Sequence, residues 1–376
     1  MPWLLAAADF DSAQLLVSYF DSDSGDLLET LFFSPIPENV TAGASRLRDT
    51  AGSPVGDFAA LLSFVDRSVP GNNVQLVVTG SRDGATYSEW VTPWSSLEAS
   101  LLHVGWDGEA FSVFSFNQAD LSLRLVRLSV DGTLLLGPVD VGRVTSLQDN
   151  AYDFHTDAET GTTWAVSDLS EGIWLTGIER DGTLVEGMDP VAGGMAVNPF
   201  GEVGSSRPRV TSNGDRVLVS WYNTNPDETY YQEVVAGELV GETVVVLDPA
   251  ASKPVQDRVP WVRDDGWWLA HYVAIEGIQS LRFDGAQPEL EGLLIDHDSC
   301  YLDSSCLGVT HHDFLPARFL QAEGRDDDRW FGFWDRSDCF EAPGHEELTC
   351  PYRIVRVVDG CSYPTAFEIA QEAAAN

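Results

Sequence analysis

One hairpin pattern, repeated along the chain, restricts the fold more than any other feature of the sequence. Residues 123–141 read LRLVRLSVDGTLLLGPVDV, two runs of alternating apolar residues on either side of Asp131-Gly132. A period of two is typical of a half-buried strand, and Asp-Gly suits a tight turn that needs positive φ. Residues 173–191, IWLTGIERDGTLVEGMDPV, repeat the pattern with the same Asp-Gly-Thr-Leu. The sequence therefore predicts recurring antiparallel hairpins.

Looser copies of this turn continue the repeat along the chain. The six turn glycines are Gly84, Gly132, Gly182, Gly237, Gly285 and Gly360. They are 48, 50, 55, 48 and 75 residues apart, and a period near 50 is typical of a four-stranded propeller blade. We therefore predict an all-β fold, a seven-bladed β-propeller of four-stranded antiparallel blades, with six or eight blades as alternatives. The prediction is a single domain over residues 1–376, with a Cys- and His-containing insertion at 297–314, and each turn glycine between the third and fourth strands of its blade.

The repeat over about residues 45–370 resembles bacterial secreted β-propellers of the kelch, WD and sialidase-like kind. Two stretches are similar to the sialidase Asp box, SRDGATY at 81–87 and DAETGTTW at 157–164. The blade ends carry no WD dipeptide, and neither Asp box is complete. The resemblance therefore implies the architecture and an exported protein, without a particular family.

The charge of the chain is strongly one-sided. It has 59 Asp and Glu against 21 Lys and Arg, a net charge of −38. Such a surface repels nucleic acid phosphates and anionic lipids. No apolar run approaches the roughly 18 residues of a membrane helix, and Met1-Pro2-Trp3 lacks the basic start of a signal peptide. We expect a protein or carbohydrate ligand, no nucleic-acid partner and no membrane span.

The cysteines predict the compartment. All five lie beyond residue 299, at Cys300, Cys306, Cys339, Cys350 and Cys361. The first two enclose five residues and the next two enclose ten, whereas a zinc knuckle encloses about two to four. We predict that Cys300 pairs with Cys306 and that Cys339 pairs with Cys350 or Cys361, in a periplasmic, cell-surface or secreted protein. A zinc site is the alternative.

Large polar or aromatic residues recur five or six positions before the glycine of each first turn. They are His103, His155, Arg209, Trp261 and Arg318. Equal offsets from equivalent turns place residues at one height in a radial array, so we expect these side chains to line one end of the central channel. Arg209, Trp261 and Arg318 would bind an anionic or sugar-like ligand there. The alternative is that the side chains pack between blades.

The histidines are also candidates for metal ligation and proton transfer. His103, His155 and His312 of the insertion predict a site for a divalent metal ion, the one cofactor that the sequence suggests, and surface histidines without a ligand are the alternative. The candidate catalytic bases are His103, His155 and Tyr222. The chain has no Gly-x-Ser-x-Gly elbow, phosphate-binding loop or zincin motif.

Two classes of function follow from these observations. The first is an exported binding or scaffolding propeller that recognises a protein or glycan at the channel mouth. The alternative is a hydrolase or lyase that acts on an anionic carbohydrate, with or without assistance from a metal. We favour binding, because a fold does not imply chemistry and none of the candidate catalytic sets is specific.

Overall fold

A computed structural model gives the architecture of the chain. The residues that it describes are 3–9, 14–21, 27–36, 46–65, 73–82, 87–91, 99–117, 122–143, 152–169, 172–188, 194–198, 208–224, 227–246, 258–263, 266–273, 277–283, 289–296, 328–334, 340–341, 348–349, 352–358 and 361–363. They belong to two compact units. One comprises Met1–Pro226 and Tyr230–Thr243, and the other comprises Asp227–Thr229 and Val244–Asn376.

The described regular structure consists of β-strands. In residues 3–246 these are β1 (Trp3–Asp9), β2 (Gln14–Phe20), β3 (Leu27–Phe33), β4 (Arg46–Gly52), β5 (Asp57–Val65), β6 (Asn73–Ser81), β7 (Tyr87–Val91), β8 (Ala99–Trp106), β9 (Phe111–Asn117), β10 (Ser122–Leu128), β11 (Leu134–Arg143), β12 (Tyr152–Thr156), β13 (Thr163–Leu169), β14 (Gly172–Ile178), β15 (Met195–Asn198), β16 (Arg209–Asn213), β17 (Arg216–Thr224), β18 (Asp227–Val235) and β19 (Glu238–Val246). In residues 258–363 they are β20 (Arg258–Arg263), β21 (Gly266–Val273), β22 (Gly277–Phe283), β23 (Glu289–Asp296), β24 (Asp328–Trp334), β25 (Phe340–Glu341), β26 (Leu348–Thr349), β27 (Tyr352–Val358) and β28 (Cys361–Tyr363).

Consecutive strands form separate antiparallel sheets. Sheet 1 is β1–β3, sheet 2 is β4–β7, sheet 3 is β8–β11, sheet 4 is β12–β15, sheet 5 is β16–β19 and sheet 6 is β20–β23. Sheets 2 to 6 each have four strands that pair in chain order, and β24, β27 and β28 form a three-stranded sheet beside the small β25–β26 hairpin. The predicted all-β fold of four-stranded antiparallel sheets is confirmed. No helix that could span a membrane is found in the described ranges.

Neighbouring sheets of the first unit pack face to face, and we call each such interface a seam. Strand β5 shows how the sequence produces this packing, since its residues 57–62 are all buried. Phe58 and Leu62 pack in the core between sheets 1 and 2, whereas Ala59 and Leu61 point the other way, into the core between sheets 2 and 3. A strand covered on both faces needs a continuous apolar run. Further cores fill the seam between sheets 3 and 4 and the seam between sheets 4 and 5.

The repeated Asp-Gly-Thr segment forms the same turn in sheets 3 and 4. The N–H of Gly132 donates to Ser129 O and that of Gly182 donates to Glu179 O, both at 2.9 Å. The Asp carboxylate accepts the N–H of the following Thr, at 3.2 Å from Asp131 and 2.9 Å from Asp181. Side-chain hydrogen bonds from Ser129 and Thr183 lower the pKa of Asp131 and Asp181 respectively. The motif recurs because the Asp and Thr close the turn locally.

Three of the six turn glycines lie within the described residues. Gly132, Gly182 and Gly237 all have positive φ, and each lies between the third and fourth strands of its sheet, as predicted. Gly84, Gly285 and Gly360 lie outside the described residues, in the connections between β6 and β7, between β22 and β23 and between β27 and β28. The turn glycines that the structure describes therefore mark the hairpin between the third and fourth strands, as the sequence pattern predicted.

Replacement of a turn glycine tests its contact with the preceding sheet. Gly132 has φ +77°, and a methyl group there would lie 2.7 Å from Ser88 Cβ in β7. Gly132→Ala should lower the free energy of unfolding by about 2–3 kcal/mol, because left-handed strain and a clash add together. Gly241 has φ +70° with open space around it, so Gly241→Ala should cost only about 1 kcal/mol. Urea unfolding of both variants measures the difference, and equal losses would contradict the role of the Ser88 contact.

Several predictions fall outside the described residues. These include the insertion at 297–314 and Cys300, Cys306, Cys339 and Cys350. Cys361 is the first residue of β28. The number of blades, the single domain and the disulfide pairing therefore stay predictions.

Candidate functional site

The first strands of sheets 1 to 5 are neighbours in the first unit. Strands β1, β4, β8, β12 and β16 adjoin one another in that order. They carry three of the predicted site residues, with His103 on β8, His155 on β12 and Arg209 on β16. Propellers bind ligands where their innermost strands meet, so this row of strands is the place to search for a site.

His103 joins three of these strands through both of its ring nitrogens. Its Nδ1 lies 2.6 Å from Asp49 Oδ2 on β4, and its Nε2 lies 3.3 Å from Thr156 Oγ1 on β12. A carboxylate can only accept, so Nδ1 carries a proton, and in the neutral imidazole Nε2 is then the acceptor. Asp49 Oδ2 also accepts the N–H of Val104 at 3.1 Å, which holds the carboxylate in place.

A second hydroxyl continues this hydrogen-bonded chain. Thr163 Oγ1 lies 3.0 Å from Thr156 Oγ1 in the adjoining strand β13. With Nε2 accepting, the Thr156 hydroxyl donates to His103 and in turn accepts from Thr163. The chain from Asp49 through His103 to the two threonines is therefore oriented in one direction. It has the order of groups that activates a hydroxyl: carboxylate, imidazole and hydroxyl.

Packing fixes the imidazole in this orientation. Its ring stacks on Phe154 with centroids 5.1 Å apart and an angle of 5° between the planes. Phe114 covers it further at 6.3 Å. Gly105 admits the Thr156 side chain, since a Cβ at that position would clash with Thr156 Oγ1. The side chains of His103 and Asp49 retain 15% and 18% of their exposure, so the pair is half-buried and reachable by solvent.

Asp49 and Thr156 were not among the residues predicted from the sequence. Asp49 lies 54 positions before His103, and Thr156 lies 53 positions after it. Both spacings are about one repeat length, which brings equivalent first strands together. A search for polar residues one repeat apart would have found the set. The period-two pattern of a single strand does not show which residues of the neighbouring first strands it will contact.

A carboxylate also bridges the next pair of first strands. Asp153 Oδ2 on β12 accepts the N–H of Val210 on β16 at 3.0 Å, and Asp157 Oδ2 accepts that of Gly214 at 2.9 Å. Asp153 thus repeats the backbone contact of Asp49, and Arg209 holds the place before its valine that His103 holds before Val104. Of these two bridges in the described residues, the one from Asp49 also binds an imidazole.

The predicted site residues lie on different faces of their sheets. His103 contacts Phe154 and Thr156 of sheet 4, so it lies in the seam between sheets 3 and 4. His155 is paired with Trp164, which packs against Val210, so it faces the seam between sheets 4 and 5. Arg209 is adjacent to Val210 in strand β16 and points to the opposite face. Tyr222 lies two residues beyond Ser220, the partner of Arg209, so it shares the face of Arg209.

The offset from the turn glycine does not measure height along the first strand. The hairpins close at Trp106–Phe111, Thr156–Thr163 and Asn213–Arg216, which leaves loops of different lengths. Gly266, the assumed turn glycine for Trp261, is itself the first residue of β21. The common height of these residues at one end of a central channel therefore stays a prediction. Trp261 is on β20, paired with Trp268, and Arg318 lies outside the described residues.

A charged cluster joins sheets 3 and 4 at the first turn of sheet 3. Asp107 is fully buried and binds Arg127 twice, with Nε at 2.7 Å and Nη2 at 3.1 Å. Arg180, from the turn after β14, donates to Asp107 O at 2.8 Å and to Glu109 at 3.2 Å. Burial alone raises the pKa of Asp107, but hydrogen bonds from Arg127 and from the turn outweigh it, so the pKa lies below its usual value. This cluster has its charges paired internally and is structural.

The predicted metal site is not assembled by the described residues. They contain no group of three or more His, Cys, Asp or Glu side chains placed to hold a metal ion. His312, the third predicted ligand beside His103 and His155, lies outside them. Both nitrogens of His103 are engaged with protein groups, so metal binding there would have to displace Asp49 or Thr156. The three-histidine site stays a prediction.

Comparison with known proteins identifies the fold and no family. No family model matches the sequence, and no curated protein matches it. A candidate 6-phosphogluconolactonase from Bacteroides uniformis is similar in structure, with a TM-score of 0.54 and 13% identity, over 98% of this chain and 94% of that chain. A second one, from Bacteroides fragilis, has a TM-score of 0.51 and 14% identity, over 96% of this chain and 97% of that chain. Together with the four-stranded sheets, these similarities show that the chain has a β-propeller fold.

Proposed function

We propose that this protein is a hydrolase of ester or lactone bonds in anionic carbohydrates, with His103 as the general base. The observation that carries the proposal is the 2.6 Å contact between Asp49 Oδ2 and His103 Nδ1, with a hydroxyl on Nε2. An imidazole held by a carboxylate in this tautomer can remove a proton from a hydroxyl or from water. The hydrogen bond from Nδ1 to Asp49 and the stacking of Phe154 keep the ring in position during that transfer.

The proposed reaction needs no group beyond water. His103 Nε2 takes a proton from a water molecule that replaces the Thr156 hydroxyl at Nε2. The water oxygen forms a bond to the carbonyl carbon, and Asp49 stabilises the imidazolium. The ester or ring C–O bond then breaks, and the leaving oxygen receives the proton from His103. The products are a carboxylic acid and an alcohol, so atoms and charges balance.

Arg209 supports an anionic substrate. It is half-buried on β16, on the face of sheet 5 opposite to Val210, so an anionic group bound there would extend past β16 from His103. Its Nη1 donates to Pro208 O at 3.2 Å, and a guanidinium has further N–H donors that could bind a phosphate or carboxylate. The two proteins of similar fold carry the name 6-phosphogluconolactonase, which supports a phosphorylated sugar lactone as the first substrate to test.

An assay with charged and neutral substrates tests this function. The wild type should hydrolyse a phosphorylated or carboxylated sugar lactone with a kcat/KM about 10–100-fold above that for the neutral lactone, the range expected for one charged hydrogen bond. Arg209→Ala should remove this preference. Arg216→Ala is the matched control, because Arg216 lies in the same sheet but is paired with Glu233. If the wild type hydrolyses none of the sugar lactones and esters tested, charged or neutral, the proposal is wrong.

Binding without catalysis is the second candidate function. Both ring nitrogens of His103 are hydrogen-bonded to protein groups, which favours this candidate. His103 would then connect the first strands structurally, and other residues would recognise the ligand. The ligand would then be a protein or glycan, as the acidic surface and the propeller fold suggest. In either case we propose an exported protein, because the cysteine spacings favour disulfides. A His103→Gln variant that loses stability while the wild type shows no hydrolysis would favour binding.

A further inference from the structure

Two carboxylate bridges cross the seam between sheets 4 and 5, and we call the region between them the slot. Asp153 reaches Val210 N at one level, and Asp157 reaches Gly214 N four residues along both strands. The side chains of the two Asp residues therefore keep the backbones of β12 and β16 apart, since the strands do not bond directly at these points. Both bridges join residues 57 positions apart, and at that spacing His155 on β12 corresponds to Ser212 on β16.

Two buried polar groups in this seam have no partner among the described residues. They are Trp164 Nε1 and Ser212 Oγ, on side chains that are 2% and 5% exposed. Trp164 is paired with His155 across the β12–β13 ladder, so the two side chains share a face. Ser212 shares with Val210 the face of β16 that packs on Trp164. The two unpartnered groups therefore belong to facing walls of one seam.

The chemistry of the walls selects the ligand. An indole N–H only donates, so whatever meets Trp164 Nε1 must accept a hydrogen bond. A cation is therefore excluded. The carboxylates of Asp153 and Asp157 border the slot and disfavour an anion. A neutral oxygen that can both accept and donate satisfies Trp164 and Ser212 together.

We propose that this slot is a binding site for a neutral hydroxyl oxygen, held by Trp164 Nε1 and Ser212 Oγ, with half-buried His155 beside it. The oxygen belongs either to a water molecule or to a hydroxyl group of a carbohydrate, which present the same chemistry. Buried polar groups are almost always satisfied, so two such groups in one seam call for a shared partner. The site is separate from the Asp49–His103 pair and does not depend on the hydrolase proposal.

The sign of a stability change tests the site. If Ser212 holds a ligand oxygen, Ser212→Ala should lower the melting temperature by about 1–3 °C, because the oxygen loses a partner. Thr211→Val is the matched control. Thr211 is the neighbouring residue, fully buried and also unpartnered among the described residues, but it faces the other side of β16. Thr211→Val should leave the melting temperature unchanged or raise it, because it removes an unpaired hydroxyl and keeps the shape.

Two further measurements complete the test. Trp164→Phe and Ser212→Ala should be less than additive in the double variant, because both act through one bound oxygen. Ligand-observed NMR with neutral monosaccharides then identifies its source. Binding that the wild type shows and Ser212→Ala loses would assign a carbohydrate hydroxyl, and destabilisation without sugar binding would assign water. A melting temperature that rises in Ser212→Ala, as in Thr211→Val, would overturn the proposal.

Discussion

Asp49→Asn should lower kcat for lactone hydrolysis about 10³–10⁴-fold, with little change in KM. Asn can still accept the N–H of Val104 through its Oδ1, so the bridge between β4 and β8 persists. The same oxygen can accept Nδ1–H, but a neutral amide does not stabilise the imidazolium that forms when Nε2 takes a proton. His103→Gln, which removes the base itself, should be at least as inactive. Steady-state kinetics on the best anionic lactone gives both values.

Asp153→Asn is the control for this experiment. Asp153 also accepts a backbone N–H, that of Val210, at 3.0 Å. The residue before Val210 is Arg209, whereas the residue before Val104 is His103, so Asp153 does not hold an imidazole in this way. The Asp153→Asn variant should therefore lose about as much stability as Asp49→Asn but keep the kcat of the wild type. Equal losses of kcat in Asp49→Asn and Asp153→Asn would mean that the carboxylates act only by holding the strands. Asp49 would then be a structural residue and the hydrolase mechanism would be wrong.

Asp107→Asn should lower the free energy of unfolding at neutral pH by about 3 kcal/mol, the low end for breaking a buried ion pair. Asp107 is fully buried, and its bidentate partner Arg127 is only 14% exposed. In the variant the neutral Asn no longer balances the charge of Arg127, and among the described residues the carboxylate that remains beside it is the exposed one of Glu109, at 3.7 Å. Glu109→Gln is the control and should cost less than about 1 kcal/mol, because its side chain is 65% exposed. Urea unfolding of the three proteins measures these differences.

The effect of Asp107 should depend on pH in a defined direction. Folding lowers the pKa of this carboxylate below its ordinary value of 3.8, so the folded state binds its proton less readily than the unfolded state does. Its stabilisation is therefore fully present above pH 3.8 and is lost as the pH falls through the lower, folded pKa. The difference between wild type and Asp107→Asn should be constant from neutral pH down to about 5 and shrink below that. A difference that grows on acidification would contradict the ion-pair account.

Much of the fold could be predicted because its signals are local. The Asp-Gly-Thr turns at Gly132 and Gly182 form through contacts within five residues, so the sequence alone locates them. Strands such as Leu27–Phe33 and Tyr352–Val358 form from apolar runs that begin or end near turn residues, which are signals within the strand itself. The predicted common height along the first strands stays a prediction, because the first turns differ in length and an offset from a turn glycine does not measure that height.

The sequence by itself determined that this chain folds as repeated antiparallel sheets of a β-propeller and which residues turn its hairpins. Only the tertiary structure decided which side chains meet. Asp49, His103 and Thr156 belong to three different repeats, more than 50 residues apart, and come together because sheets stack face to face. Whether a residue such as His155 or Arg209 faces one seam or the next depends on register, and a shift of one residue reverses it. Periodicity fixes the spacing of side chains along a strand, but packing between sheets decides their partners.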